Sequence, residues 1–213
     1  MSKIKFIYFD AANTLIHKPD LWIKFDEILK KYNYNIDTVT LKKNHKLTSE
    51  RIKFPDNTSK DFYNLFNKEV LISLGISPTE EIINDIFNNC TYLPWKKFDD
   101  VDFLKEIKIP FGIISNFNIS LKEKIKKIID TPFAEFIVSE EQNFSKPDKR
   151  LYEYAVNKIN IPSNEILYIG DSIKLDIEPA KDIGMQTLLI DRDFIYPDFE
   201  NRITSFNELK FLI

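Results

Sequence analysis

The sequence predicts an α/β fold: a parallel sheet covered on both faces by helices, interrupted near its start by a long helical insert. Five short apolar, β-branched or aromatic runs read as buried strands, Ile4–Phe9, Phe111–Ser115, Phe136–Ser139, Ile166–Ile169 and Thr187–Ile190. Short runs that are apolar almost throughout, rather than alternating, suit strands buried on both faces. The stretches between the last four strands carry helical periodicity, most clearly over Asn118–Asp130, Asp148–Ile159 and Ile177–Ile183. Pro179 stands near the start of the last of these and Gly184 where it would end, as their backbone preferences favour.

The insert follows from an excess of chain. Between the first two strands lie roughly a hundred residues with helical spacing and no convincing strand, whereas a βαβ unit needs only about thirty. Leu21, Phe25, Ile28, Leu29 and Tyr32 fall on one helical face, and Phe62, Leu65, Phe66, Val70 and Leu74 on another. The expected division is a core of residues 1–16 and 95–213 with an all-helical domain of residues 17–94, the chain rejoining the core near Pro94 and Trp95.

Composition narrows the partners. The chain has 213 residues, 43% of them apolar, a formal net charge of −3 and one cysteine, Cys90. That apolar fraction suits a globular protein. Lys and Arg are scattered among Asp and Glu with no basic block, which argues against a nucleic-acid partner. No apolar run is long enough to span a bilayer, and no signal core opens the chain. One cysteine cannot form an intrachain disulfide, so a reducing, cytoplasmic setting is expected. Cys90 itself reads as a small apolar packing group. Oligomeric state is not legible.

Open parallel sheets bind ligands beyond the carboxyl ends of their strands, and four such ends carry polar chemistry. Asp10-Ala11-Ala12-Asn13-Thr14-Leu15 follows the first strand. A carboxylate there can serve as nucleophile or metal ligand, or can be an ordinary turn aspartate with Asn13 left-handed. Ser115-Asn116 follows the second strand and offers a hydroxyl and free amides to an anion, or simply makes a turn. Lys146-Pro147 follows the third; Pro147 would begin a helix and place Lys146 just ahead of its positive end, where a cation can neutralise bound anionic charge. Gly170-Asp171-Ser172 follows the fourth, with Asp176 five residues beyond Asp171. Two acids there suit a hard cation, and Asp176 can equally be a helix N-cap. An acid, a hydroxyl, a lysine and paired acids, all at strand ends of one chain, point to a shared active site.

The same four segments, FDAANTL at 9–15, IISN at 113–116, SKPDKRLY at 145–152 and YIGDSIKLDIEPAKDIGM at 168–185, resemble in order the motifs of the haloacid dehalogenase (HAD) superfamily of hydrolases. The resemblance covers the core, and the insert is similar to the helical cap of the dehalogenase- and phosphatase-like branch. It implies a Rossmann-like sheet with a mobile cap and Mg²⁺-dependent phosphoryl transfer from a small phosphorylated or otherwise anionic substrate. Asp10 would then be the nucleophile that forms an aspartyl-phosphate. Asp10, Asp171 and the backbone carbonyl of Ala12 would bind Mg²⁺. Thr14, Ser115, Asn116 and Lys146 would hold the phosphoryl group, with Lys146 also pairing with Asp10. Ser172 and Asp176 would stand behind these, Asp176 holding the metal's waters or orienting Lys146.

One departure matters. Phosphatases of the family place a second Asp two residues after the nucleophile as general acid and base, and this chain has Ala12 there. General acid–base help is typically worth ~10²–10⁴ in rate, so a slow phosphatase that favours good leaving groups is expected. The resemblance leaves two other reactions open. Phosphonate hydrolases resemble this chain in having Ala at that position but rely on a cap lysine that is not identifiable here. The 2-haloacid dehalogenases use no metal and lack the acid corresponding to Asp171. A non-catalytic descendant that binds a phosphoryl ligand or a partner is the third alternative. In the insert, Trp22 reads as cap core, His45, Arg51 and Lys53 as solvated surface, and His17 as a surface residue at the hinge.

Overall fold

The computed structural model describes residues 3–212. In chain order the regular elements are β1 (Phe6–Phe9), β2 (Ile16–His17), α1 (Leu21–Lys31), α2 (Thr38–Arg51), α3 (Lys60–Ser73), α4 (Glu80–Cys90) and β3 (Lys96–Lys97). There follow β4 (Phe111–Ser115), α5 (Leu121–Ile128), β5 (Glu135–Val138), α6 (Lys149–Ile159), β6 (Ile166–Gly170), α7 (Glu178–Asp182), β7 (Gln186–Ile190) and β8 (Arg202–Ile203). The chain divides into two compact units, Met1–His17 with Lys97–Ile213, and Lys18–Lys96.

The first unit is built on a six-stranded, all-parallel sheet of order β5-β4-β1-β6-β7-β8, a Rossmann-like arrangement. Strands β1, β4 and β6 are buried along their whole length, which is why their sequences are apolar without alternation. One sheet face sets Phe6, Tyr8, Ile114, Ile137, Ile166 and Tyr168 against Leu151, Tyr152 and Ala155 of α6 and Ala180 of α7. Tyr8 is fully buried and its hydroxyl donates to the Ala155 carbonyl at 3.1 Å, as a phenol in an apolar core needs. On β1 the other parity includes Phe9, whose ring meets Phe111 and Phe206 edge-on at 5.9 and 5.4 Å.

The second unit is four helices around their own core of Phe25, Leu29, Leu41, Phe66, Val70, Ile82, Ile86 and their neighbours. Asp37, Ser59 and Thr79 cap α2, α3 and α4 by accepting the amides of Thr40, Phe62 and Ile82, satisfying donors that a helix start leaves open. No helix among the described residues is long and apolar enough to cross a membrane.

Several expectations need correction. The third strand is Glu135–Val138 rather than Phe136–Ser139, because Ser139 turns into a short 3-10 segment. Strand β8 and the two-stranded β2–β3 ribbon are additions; two residues are too few to show a period. Leu65 is 53% exposed, since the inward arc of α3 runs through Phe66, Val70 and Leu71 and leaves Leu65 on the opposite side. Pro147 does not begin a helix: α6 starts at Lys149, with Asp148 accepting the Arg150 amide as its N-cap. Asp176 is not an N-cap, because it lies inside a π-helical turn, Ile173–Ile177, capped by Ser172 through the Leu175 amide.

Candidate active site

The sheet order puts β4 and β6 on opposite sides of β1, the kind of reversal beyond whose strand tips open parallel sheets bind ligands. Asp10 steps off β1 with its amide donating to the Ile169 carbonyl of β6 at 2.9 Å. The loop after it closes on itself. The amides of Leu15 and Ile16 donate to the Ala11 carbonyl at 2.9 and 3.0 Å, and the Asn13 amide to the Ile16 carbonyl at 2.7 Å. Asn13 takes φ 61° to make this turn, a left-handed conformation that asparagine adopts more readily than most residues.

Five side chains meet at the strand tips. The Lys146 ammonium, 4% exposed, donates to Asp10 Oδ1 at 2.5 Å, to Asp176 Oδ1 at 2.6 Å and to the Tyr168 hydroxyl at 3.2 Å. An ammonium has three N–H groups, and here each meets an acceptor. Ser115 ends β4 and its hydroxyl donates to Asp10 Oδ1 at 3.3 Å. Asp176 is buried, with Oδ1 also accepting the Tyr168 hydroxyl at 2.9 Å and Oδ2 the Ser172 amide at 3.0 Å. Asp176 therefore ties Lys146 to Tyr168 and to the Ser172 amide.

Asn116 acts through its side chain. Its Nδ2 donates to the Lys146 carbonyl at 2.9 Å and its Oδ1 accepts the Lys146 amide at 2.7 Å, so the backbone of the lysine is clamped from both sides. Thr14 is fully buried; its hydroxyl has no hydrogen-bond partner, and its carbonyl accepts Arg192 Nη2 at 3.0 Å.

Burial pushes the Asp10 carboxyl up to about 7, against the attraction of Lys146, with Asp176 and Asp171 adding to the rise. Burial also works against the Lys146 charge, but Asp10 and Asp176 outweigh it and hold the ammonium above its usual range. Tyr168 is held well above the usual phenol range by burial and by Asp176, so it stays a hydrogen-bond donor. Three acids beside one lysine leave an excess of negative charge, which a hard divalent cation would balance. Asp10, Asp171 and Asp176 each offer an oxygen, all within 4.8 Å of one another. With both Asp176 oxygens engaged by Lys146, Tyr168 and Ser172, Asp10 and Asp171 are the better-suited donors.

The family assignment follows from comparison. The model of the haloacid dehalogenase-like hydrolases matches residues 4–184. The chain belongs to the haloacid dehalogenase-like hydrolase family. The uncharacterized protein YMR130W of Saccharomyces cerevisiae is 28% identical, with 93% of this chain and 75% of that protein covered. A glyceraldehyde 3-phosphate phosphatase of Methanocaldococcus jannaschii is 32% identical, covering 41% of this chain and only 39% of that protein. The magnesium-bound YfnB protein from Bacillus subtilis shares the fold, with a TM-score of 0.69 at 17% identity and 99% of both chains covered.

The structure thus gathers Asp10, Ser115, Asn116, Lys146, Asp171, Ser172 and Asp176 around one end of the HAD sheet. Sequence reasoning missed Tyr168. The available signal was a phenol two residues ahead of Gly170-Asp171 in an apolar strand, since a buried tyrosine hydroxyl needs a partner.

In the helical unit, His45 is half-buried and lies edge-on between Trp22 and Phe66, at 5.0 and 4.9 Å, while Arg51 is exposed and pairs with Glu69. Cys90 is buried, and burial pushes its thiol up to about 12.

Proposed function

We propose that the chain is a Mg²⁺-dependent phosphoryl hydrolase that works through an aspartyl-phosphate on Asp10 and favours small substrates with good leaving groups. The observation that carries this reading is the buried Asp10–Lys146 pair at 2.5 Å, anchored by Asp176 and set beside Asp171. An anionic nucleophile approaches an anionic phosphate only where cations offset the repulsion, and this cluster supplies one cation and the ligands for another.

In the first step an Asp10 oxygen bonds to phosphorus as the bond to the leaving oxygen breaks. Lys146 would hold positive charge at the transferring oxygens, and the Ser115 hydroxyl and the Asn116 backbone amide would donate to them. Mg²⁺, when held by Asp10, Asp171 and the Ala12 carbonyl, would supply further charge neutralisation. In the second step water displaces Asp10 from phosphorus and releases phosphate. With Ala12 no side chain two residues from Asp10 protonates the leaving group or takes the water's proton. The leaving group therefore departs as an anion and the second step is slow. The Methanocaldococcus jannaschii relative named as a glyceraldehyde 3-phosphate phosphatase supports a phosphate ester as the substrate class. The helical unit Lys18–Lys96 is the segment to which we assign substrate choice, as a cap, and a cytoplasmic setting suits a lone, buried thiol.

A panel of phosphate esters with and without Mg²⁺ tests this. Aryl and acyl phosphates are expected to turn over faster than sugar phosphates, and only with the metal. Rates indifferent to both leaving group and Mg²⁺ would overturn the reading. Tight phosphate-ester binding without turnover would favour the ligand-binding alternative that Ala12 leaves open.

A further inference from the structure

We infer that Arg192, outside the four HAD motifs, is a positioning residue for the Asp10 loop, holding it through the peptide plane between Thr14 and Leu15. That plane is gripped at both ends: its carbonyl accepts Arg192 Nη2 at 3.0 Å and its amide donates to the Ala11 carbonyl at 2.9 Å. Ala11 is the residue after Asp10, so the orientation of this plane passes directly to the nucleophile's own backbone.

Arg192 is itself fixed on three sides. Its Nη1 pairs with Asp100 Oδ2 at 2.8 Å, and the same oxygen accepts the Ser205 hydroxyl and the Phe206 amide, each at 2.8 Å. Burial works to raise the Asp100 carboxyl, but Arg192, Phe206 and Ser205 outweigh it and keep it below the usual range. The guanidinium carbon lies 3.9 Å from the centre of the Phe98 ring, which also stacks on His17 at 4.0 Å and 12°. Phe98 in turn donates its amide to the Leu15 carbonyl at 3.1 Å. A planar fork that bonds a carboxylate and a carbonyl while stacking on an aromatic face is a task for arginine, and a lysine cannot do all three.

The test replaces Arg192→Lys, which keeps the charge and removes the fork, and reads amide hydrogen exchange together with kinetics. Exchange at Leu15 and Ile16 is expected to quicken about tenfold or more while the β6 amides keep their protection. Turnover of an aryl phosphate should fall in kcat with KM unchanged; this kinetic half rests on the phosphoryl-transfer reading. Unchanged exchange at Leu15 and Ile16 overturns the inference, as does a uniform rise across the sheet, the mark of a general stabilising role. If Arg192→Lys does not fold, Phe98→Leu removes the stacking surface and is read at the same amides, where a rise supports the inference and none overturns it. Should the unaltered chain hydrolyse no phosphate, the exchange half still decides the role of Arg192 and only the functional reading falls.

Discussion

Gly170 and Asp176 share one space: a Cβ built on Gly170 would lie 2.5 Å from Asp176 Oδ2 and 2.6 Å from Asp176 Cβ. The glycine ends β6, and only a hydrogen at that position lets the π-helical turn fold Asp176 back against the strand tip. Because Asp176 carries the second contact to Lys146, the absence of one methyl group sets the place of the lysine.

Gly170→Ala should therefore displace Asp176 rather than merely crowd it. Overpacking of this kind costs about 1–3 kcal/mol. Here the loss should appear both as a lower urea midpoint and as a loss of turnover larger than the stability change explains. A variant with the midpoint and rate of the unaltered chain would show that Asp176 has room to spare.

Tyr168→Phe removes an acceptor of Lys146 and a donor to Asp176 without changing the shape of the core. A hydrogen bond to a charged group is worth about 1.5–3 kcal/mol, so unfolding should come earlier by a similar amount. The expected kinetic effect is a lower kcat, since Lys146 loses one of the three contacts that aim it. Wild-type kcat in a stably folded variant would make Tyr168 a core residue only.

Ala12→Asp restores the group that the family's phosphatases carry. If the site is otherwise intact, turnover of phosphate esters with poor leaving groups should rise by about 10² or more. Ester hydrolysis at the unaltered level, in a variant that still binds phosphate, would argue for another chemistry.

His45 gives a pH dependence of stability that belongs to the helical unit. Burial, helped by Lys46 and Lys18, lowers its folded value to about 4, against about 6.5 in the unfolded chain. The neutral ring thus contributes in full above the unfolded value, and that contribution is lost as pH falls from about 6.5 towards 4. Urea midpoints between pH 7 and pH 4.5, compared with His45→Phe, should show the unaltered chain losing about 2 kcal/mol more over this window. Parallel curves would show that the half-buried imidazole titrates as it does in the unfolded chain.

The parallel strands were legible because burial on both faces forces an unbroken apolar run, as in Phe6–Phe9 and Ile166–Gly170. The site was legible because open sheets collect ligands at strand ends, so acids and a lysine at those positions carried meaning before any distance was known. Other features left no pattern. Arg202–Ile203 is a strand only because β7 offers an edge to pair with. The N-cap alternative for Asp176 stayed open because no local rule anticipates a π-helical turn, in which Ser172 takes the cap and frees the acid for Lys146. Tyr168 hid as one more aromatic in a strand, and Arg192 meets Thr14 across most of the chain. Long-range partners such as these are set by tertiary packing, not by spacing.

If Asp10 carries the phosphoryl group in turnover, as proposed, the missing base at Ala12 makes that state easy to catch. The chain is mixed with p-nitrophenyl phosphate and Mg²⁺, quenched in acid during the first turnovers, and its peptides are weighed. The account predicts a burst of about one nitrophenolate per chain before a slower steady phase, with the mass of one phosphoryl group added to the peptide bearing Asp10 and absent in Asp10→Asn. Steady hydrolysis with no burst and an unmodified Asp10, or the same labelling in Asp10→Asn, would contradict it.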